Sequence, residues 1–412
     1  MTAAPFDLFI ALDGNGMNGF EGFAGIARLR CASDPERADS CDVAIRFFDG
    51  VAGGHATQIN PQGTIGFLGN LSQTLLLYDP RTLREIERAS TLRFHAPEVV
   101  YSSQTHAVWL GESEFVTVIG PDFCRFRVGA LDRPERLGGH GVTLPHAIKR
   151  SPSGRYLFYG AMDHDWLGHA NQVGIFDLET GQARVVRLPA TAWHIGLHPT
   201  RDVFYAPSQR CTPQGDMEFA EYTMAHFKNY LFEIDGASAQ VLRHAAIARE
   251  LPGFLTSDVV VTEEEVLYNC CASGAIARID LATLSRLRHV DERPGLLAGL
   301  RYWRTALSNL GESMARVNLP DAVHIFVKSV RITRGSLLDG SYGLQLSPDR
   351  RTLLSAHRGR NQVLVYSYPD LELRRCIDFP PLRRFFPAYL GRLADPRLGF
   401  HHTALSSETA AG

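Results

Sequence analysis

Residues 146–176, HAIKRSPSGRYLFYGAMDHDWLGHANQVGIF, decide how this chain folds. His146 opens a short β-type run, Pro152 follows six residues on and Gly154 eight residues on, and a second run, RYLFYGA, begins at once. Proline removes a ladder donor and glycine accepts turn conformations, so the phrase reads as strand, turn, strand. Residues 55–77, HATQINPQGTIGFLGNLSQTLLL, repeat it, with Pro61 and Gly63 at the same offsets from His55. Self-similarity of this kind marks a repeat architecture.

Looser copies start at His106 (HAVWLGESEFVTVIG), His194 (HIGLHPTRDVFYAPS), Asp258 (DVVVTEEEVLYNCC) and Tyr342 (YGLQLSPDRRTLLSAH). A seventh start, His401 (HHTALSSE), meets the C-terminus after one strand. Intervals of roughly 40 to 85 residues between starts suit four-stranded blades with insertions. Endings such as LLLYDPRTLREIERA and VGIFDLETGQARVVRL supply the outer hairpins. The expectation is an all-β, seven-bladed β-propeller forming a single domain over residues 1–412, closed by N- and C-terminal strands that share one blade. Donors for that blade lie around Leu8 to Leu12, Gly25 to Leu29 and Val43 to Phe48. Closing the ring removes open sheet edges.

Three stretches interrupt the repeat: residues 207–229, 296–319 and 380–398. Each falls before an inner strand or between second and third strands, so the insertions are expected to form a lid on one face.

Inner strands line a propeller's channel, and their first residues meet at its mouth. These are His55, His106, His146, His194, Asp258, Tyr342 and His401. With 16 histidines in 412 residues, chance puts well under one at seven given places, and here there are five. Several imidazoles on one axis repel when protonated, and a shared metal resolves that conflict. The register is clear for His55 and His146; at the other copies Thr105 competes with His106, Trp193 with His194, and His402 with the preferred His401. An imidazole-only site suits Fe(II), Cu, Mn or Zn. Carboxylates behind the rings would be needed to orient them, with Asp258, Glu98 and Glu112 as candidates.

The histidine segments resemble those of the carotenoid cleavage oxygenases. GGHATQINPQGTIGFLGN, PHAIKRSPSGRYLFYG, AWHIGLHPTRDVFY and LGFHHTAL are similar, in order, to that family's four iron-histidine segments, and LDGNGM at residues 12–17 is similar to its D-G-D-G-M turn. The resemblance implies a seven-bladed propeller with non-haem Fe(II) held by His55, His146, His194 and His401. It also implies an oxygenase that uses O2 to oxidise or cleave a hydrophobic or aromatic alkene-like small molecule. His106 has no counterpart in the family, and its three supporting glutamates have no counterparts placed here.

His106, His164, Tyr342 and Asp258 are the candidates for acid–base or other catalytic work; His164 stands with Asp163, Asp165 and His169 in the turn MDHDWLGHA. A metal-dependent lyase, isomerase or cyclase on the same histidines, and a non-catalytic interaction scaffold, are the alternatives. Arg358 and Arg360, beside His357, are candidates for binding a carboxylate or phosphate. Glu218, Glu221, Tyr222 and His226 lie in the first insertion. PPLRRFFPAYLGRLADPRL, at 380–398, reads as packing across the lid or as a peripheral membrane contact. A formal charge of −2 without a basic tract argues against nucleic acid. No stretch is long and apolar enough to span a membrane, no secretory signal opens the chain, and seven scattered cysteines show no C-x-x-C spacing, which together suit the cytoplasm.

Overall fold

The computed structural model describes residues 5–14, 23–31, 35–36, 41–93, 105–162, 170–208, 210–211, 230–246, 256–271, 274–292, 340–387 and 397–407. Seven four-stranded antiparallel sheets form the blades of a propeller. Six take their strands in chain order from the axis outward. Blade II comprises Thr57–Ile59, Gly66–Leu68, Thr74–Tyr78 and Glu85–Ser90, and blade III Ala107–Trp109, Glu114–Ile119, Asp122–Arg127 and Glu135–Gly139. Blade IV runs Pro145–Arg150, Tyr156–Ala161, Gln172–Asp177 and Gln182–Arg187, and blade V Gly196–Leu197, Val203–Pro207, Tyr230–Asp235 and Gln240–Ala246. Blade VI holds Thr256–Val261, Glu265–Cys270, Ala275–Asp280 and Arg286–Asp291, and blade VII Ser341–Leu346, Thr352–His357, Gln362–Ser367 and Leu373–Asp378.

Blade I is shared between the termini. Its inner strand, Phe400–Ser407, pairs with Phe6–Leu12, and Ala24–Cys31 and Cys41–Phe48 follow outward. The expected closure is present.

Burial explains the strand chemistry. Second strands such as Tyr156–Ala161 (YLFYGA) and Glu265–Cys270 (EVLYNC) are buried at every residue, because each is pressed on both faces by neighbouring blades. Outer strands such as Glu85–Ser90 (EIERAS) are largely exposed and carry charge, which discourages edge-to-edge pairing. The apolar core divides into seven clusters, one at each junction between adjacent blades. At the junction of blades IV and V, Phe158 and Phe204 stack at 4.6 Å, fully buried, and each such ring contributes about 1.5–3 kcal/mol of transfer free energy.

Most of the first and second insertions lies outside the described residues, as do His164, Glu98, Glu218, Glu221, Tyr222, His226 and the end of the LDGNGM turn. The strand ends joined by all three insertions lie on the face where the inner strands begin. Of the described part of residues 380–398, Arg383, Arg384 and Pro387 are exposed and the apolar side chains pack inward. Leu382 is wholly buried in a short 3-10 turn, and Phe386 stacks on Phe23 at 3.8 Å. No helix among the described residues is long and apolar enough to cross a membrane.

Candidate metal centre

Where the inner strands begin, imidazoles fill the axis. His55 and His106 stand just before their strands, His146 is the second residue of its strand, and His401 and His402 are the second and third of theirs. One nitrogen from each of His55, His106, His146 and His402 falls in a group whose members all lie within 4.8 Å of one another. The Nε2 atoms of His55 and His146 are 3.3 Å apart. Nitrogens around one ion, each at about 2.1 Å, are separated by at most about 4.2 Å, so a small inward movement of the rings completes the shell.

Two adjacent histidines reach the axis because the strand bulges. Ile10 pairs with Thr403 and Leu12 with Phe400, so Ala11 alone stands opposite both His401 and His402. The bulge breaks the alternation that would otherwise send neighbouring side chains to opposite faces.

The two rings are anchored differently. His402 Nδ1 lies 2.8 Å from Asp258 Oδ1, which places its proton on Nδ1 and leaves the Nε2 lone pair available. That Nε2 is buried and has no hydrogen-bond partner among the described residues. His401 turns Nε2 toward Asp13 Oδ2 at 3.2 Å. His401, expected as a ligand, therefore stands against a carboxylate beside the four-nitrogen group, and His402 stands within it. His194, also expected as a ligand, packs its ring 4.6 Å from His402 and 4.8 Å from His146, next to the group. His106 is inside it, with Nδ1 3.2 Å from Thr105 Oγ1.

Asp258 is a positioning group. Besides His402 it accepts hydrogen bonds from Leu344 N at 3.1 Å, Thr403 N at 3.3 Å and Thr403 Oγ1 at 2.9 Å, so both oxygens are occupied and one carboxylate ties blades I, VI and VII together. Tyr342 is buried, with its ring 4.6 Å from His401; burial first, and neighbouring Cys271, push its hydroxyl well above the ordinary range, so it stays neutral. Glu112 is on an exposed turn, away from the rings.

Arg358, a candidate for binding a carboxylate or phosphate, is turned into the fold. It is buried and donates through Nη2 to both Asp13 oxygens, at 3.0 and 2.8 Å, and through Nη1 to the Phe400 carbonyl at 3.1 Å. Arg360 and His357 are turned to the backbone carbonyl of Glu292. Burial opposes the Asp13 charge, but Arg358 and His401 outweigh it and hold its carboxyl below the usual range.

Burial, reinforced by mutual repulsion, lowers His55, His106, His146 and His194 well below the ordinary imidazole value. His401 is lowered to about 4 by burial, with Asp13 acting the other way. These five rings are thus neutral at pH 7, the state in which imidazole binds metals.

Glycines set the entry of the histidine-bearing segments. A Cβ on Gly69 would stand 1.9 Å from the Thr105 carbonyl oxygen, and one on Gly160 would stand 2.1 Å from that of Trp193. Bare backbone at the end of blade II thus lets His106 approach the axis, and the same feature of blade IV admits His194.

Fold and site together define a seven-bladed propeller with an imidazole cluster on its axis. No family model matches the chain, and no curated protein does. Among solved structures, hydrazine synthase of Kuenenia stuttgartiensis is similar over 77% of this chain and 77% of its own, at 14% identity and TM-score 0.50. The dihydro-heme d1 dehydrogenase NirN, in complex with DHE, is similar over 98% of this chain and 76% of its own, at 11% identity and TM-score 0.51. At these identities the likeness is one of fold.

Proposed function

We propose that the protein is a mononuclear non-haem metal enzyme in which His55, His106, His146 and His402 hold the ion, Fe(II) being the preferred metal over Cu, Mn and Zn. Its reaction is the O2-dependent oxidation or cleavage of an apolar, alkene-like small molecule. The observation that carries the metal is the convergence of four imidazoles on one point, with the buried His402 Nε2 lacking any other partner among the described residues. The resemblance of the histidine segments to the carotenoid cleavage oxygenases supports iron and the oxygenase direction.

When bound, the ion supplies Lewis acidity and redox chemistry. The chain's residues prepare the place for it. Asp258 fixes the His402 tautomer, Thr105 sits against Nδ1 of His106, and burial keeps the His55, His106 and His146 rings unprotonated. The buried Arg358–Asp13 pair braces the strand that carries His401 and His402 from the other side.

Metal analysis of protein purified without an affinity tag tests the first step. About one equivalent of a transition metal is expected, lost in His402→Ala and His146→Ala. Less than a few tenths of an equivalent would overturn the metal reading and favour a scaffold. O2 uptake by the Fe(II)-loaded protein with apolar alkenes tests the second step; turnover that needs no oxygen would favour a lyase or isomerase.

A further inference from the structure

Beneath the histidines the axis opens into a channel of about 500 Å³. His106, His194 and His402 line its upper end, and Pro61, Arg150 and Leu405, at the far ends of inner strands, line its lower end. The volume falls within the roughly 300–1,000 Å³ of small-molecule sites.

The wall is cationic. Lys149 and Arg150 both line it, and Asp258, its one carboxylate among the described residues, has both oxygens occupied. Lys149 reaches across the channel to the Val259 carbonyl oxygen at 3.2 Å. An ammonium carries three donors, so two remain unspent among the described residues. Arg150, at the lower end, turns its guanidinium to the Gly154 carbonyl at 3.0 Å and the Leu110 carbonyl at 2.9 Å, which leaves Lys149 as the cation with donors to offer next to the rings. A divalent ion held only by imidazoles adds its charge at the top of this channel. Asp258 offsets one of these charges, and the positive charge left over in a low-dielectric interior attracts an anion.

We propose that the channel binds a small monoanion of the carboxylate class, held between Lys149 and the metal centre. This rests on the metal reading above and adds to it a ligand class and an approach from the face opposite the insertions. Lys149 donates to one oxygen of the anion, and the second oxygen faces the histidines.

The test uses the full chain loaded with Co(II), whose visible absorption reports its coordination, and formate and acetate as probes. A saturable spectral change is expected with both. Lys149→Met should weaken it roughly tenfold or more with Co(II) affinity unchanged, and Lys149→Arg should keep it within a few-fold, since the charge is retained. Co(II) binding with no response to either anion, or with equal responses from wild type and Lys149→Met, overturns this proposal alone. Failure to bind Co(II) overturns the metal reading and this one with it. Should Lys149→Met not fold, the wild-type titration and Lys149→Arg still decide.

Discussion

Asp258, partly buried, and Asp13, fully buried, each face a histidine of the same strand, yet their substitution should have different consequences. Asp258 holds His402, whose other nitrogen belongs to the four-nitrogen group. Asp258→Asn keeps the volume and removes the charge that fixes the tautomer, so metal affinity should fall about 10- to 100-fold with the fold retained, measured by competition with a chelator. Asp13 holds Arg358, which is buried among protein atoms with almost no contact with solvent. Asp13→Asn leaves that guanidinium charge uncompensated and should cost about 3–5 kcal/mol in urea unfolding, while metal affinity changes only a few-fold. Equal loss of metal affinity in the two variants would place His401 among the ligands beside His402. The sequence identified the HH pair but not its geometry, because strand alternation admits only one of two neighbours to a face. The bulge opposite Ala11 that admits both is a pairing property, invisible in the single strand.

At the scale of the element, the blades were legible where the turn chemistry repeated. Blades II and IV share the Pro and Gly offsets, and their inner strands begin where the histidines predict. Gly69 and Gly160 were not singled out, since a glycine near a strand end reads as an ordinary turn until a neighbouring backbone is seen against it. Their roles can be tested against Gly111, around which a Cβ would meet nothing within 4 Å. Gly69→Ala forces Thr105 away and should destabilise the protein by about 1–3 kcal/mol while displacing His106, so stability and metal affinity fall together. Gly111→Ala should change neither by a measurable amount. Thermal unfolding and metal competition on the three proteins decide it, and a neutral Gly69→Ala would mean that the approach of blade III to blade II is not what places His106.

For the molecule as a whole, ring closure was readable because a lone final strand cannot form a blade, so the N-terminal strands had to supply its partners. The charge state of the axis was not readable, because it arises from six imidazoles that only the closed ring brings together. It has a measurable cost. His55, His106, His146 and His194 lie well below 6.5 in the folded chain and His401 at about 4, in each case first because of burial. Between those folded values and 6.5, each is neutral when folded and protonated when unfolded, so unfolding takes up protons and stability falls as pH falls through 6.5. Each histidine contributes roughly 1 kcal/mol between pH 6.5 and 5.5, so the metal-free protein should lose about 5 kcal/mol over that unit. Carboxylates such as Asp13, lowered from 3.8, do not begin to contribute until the pH nears 4, which separates the two effects. Urea midpoints of the metal-free protein at pH 7.5, 6.5 and 5.5 should therefore drop steeply only over the last interval, and His106→Asn with His146→Asn should flatten that drop by about two-fifths. An unchanged slope in the double variant would mean that these rings do not stay neutral when the chain is folded, and with that the pre-set ligand state on which metal binding depends would be lost.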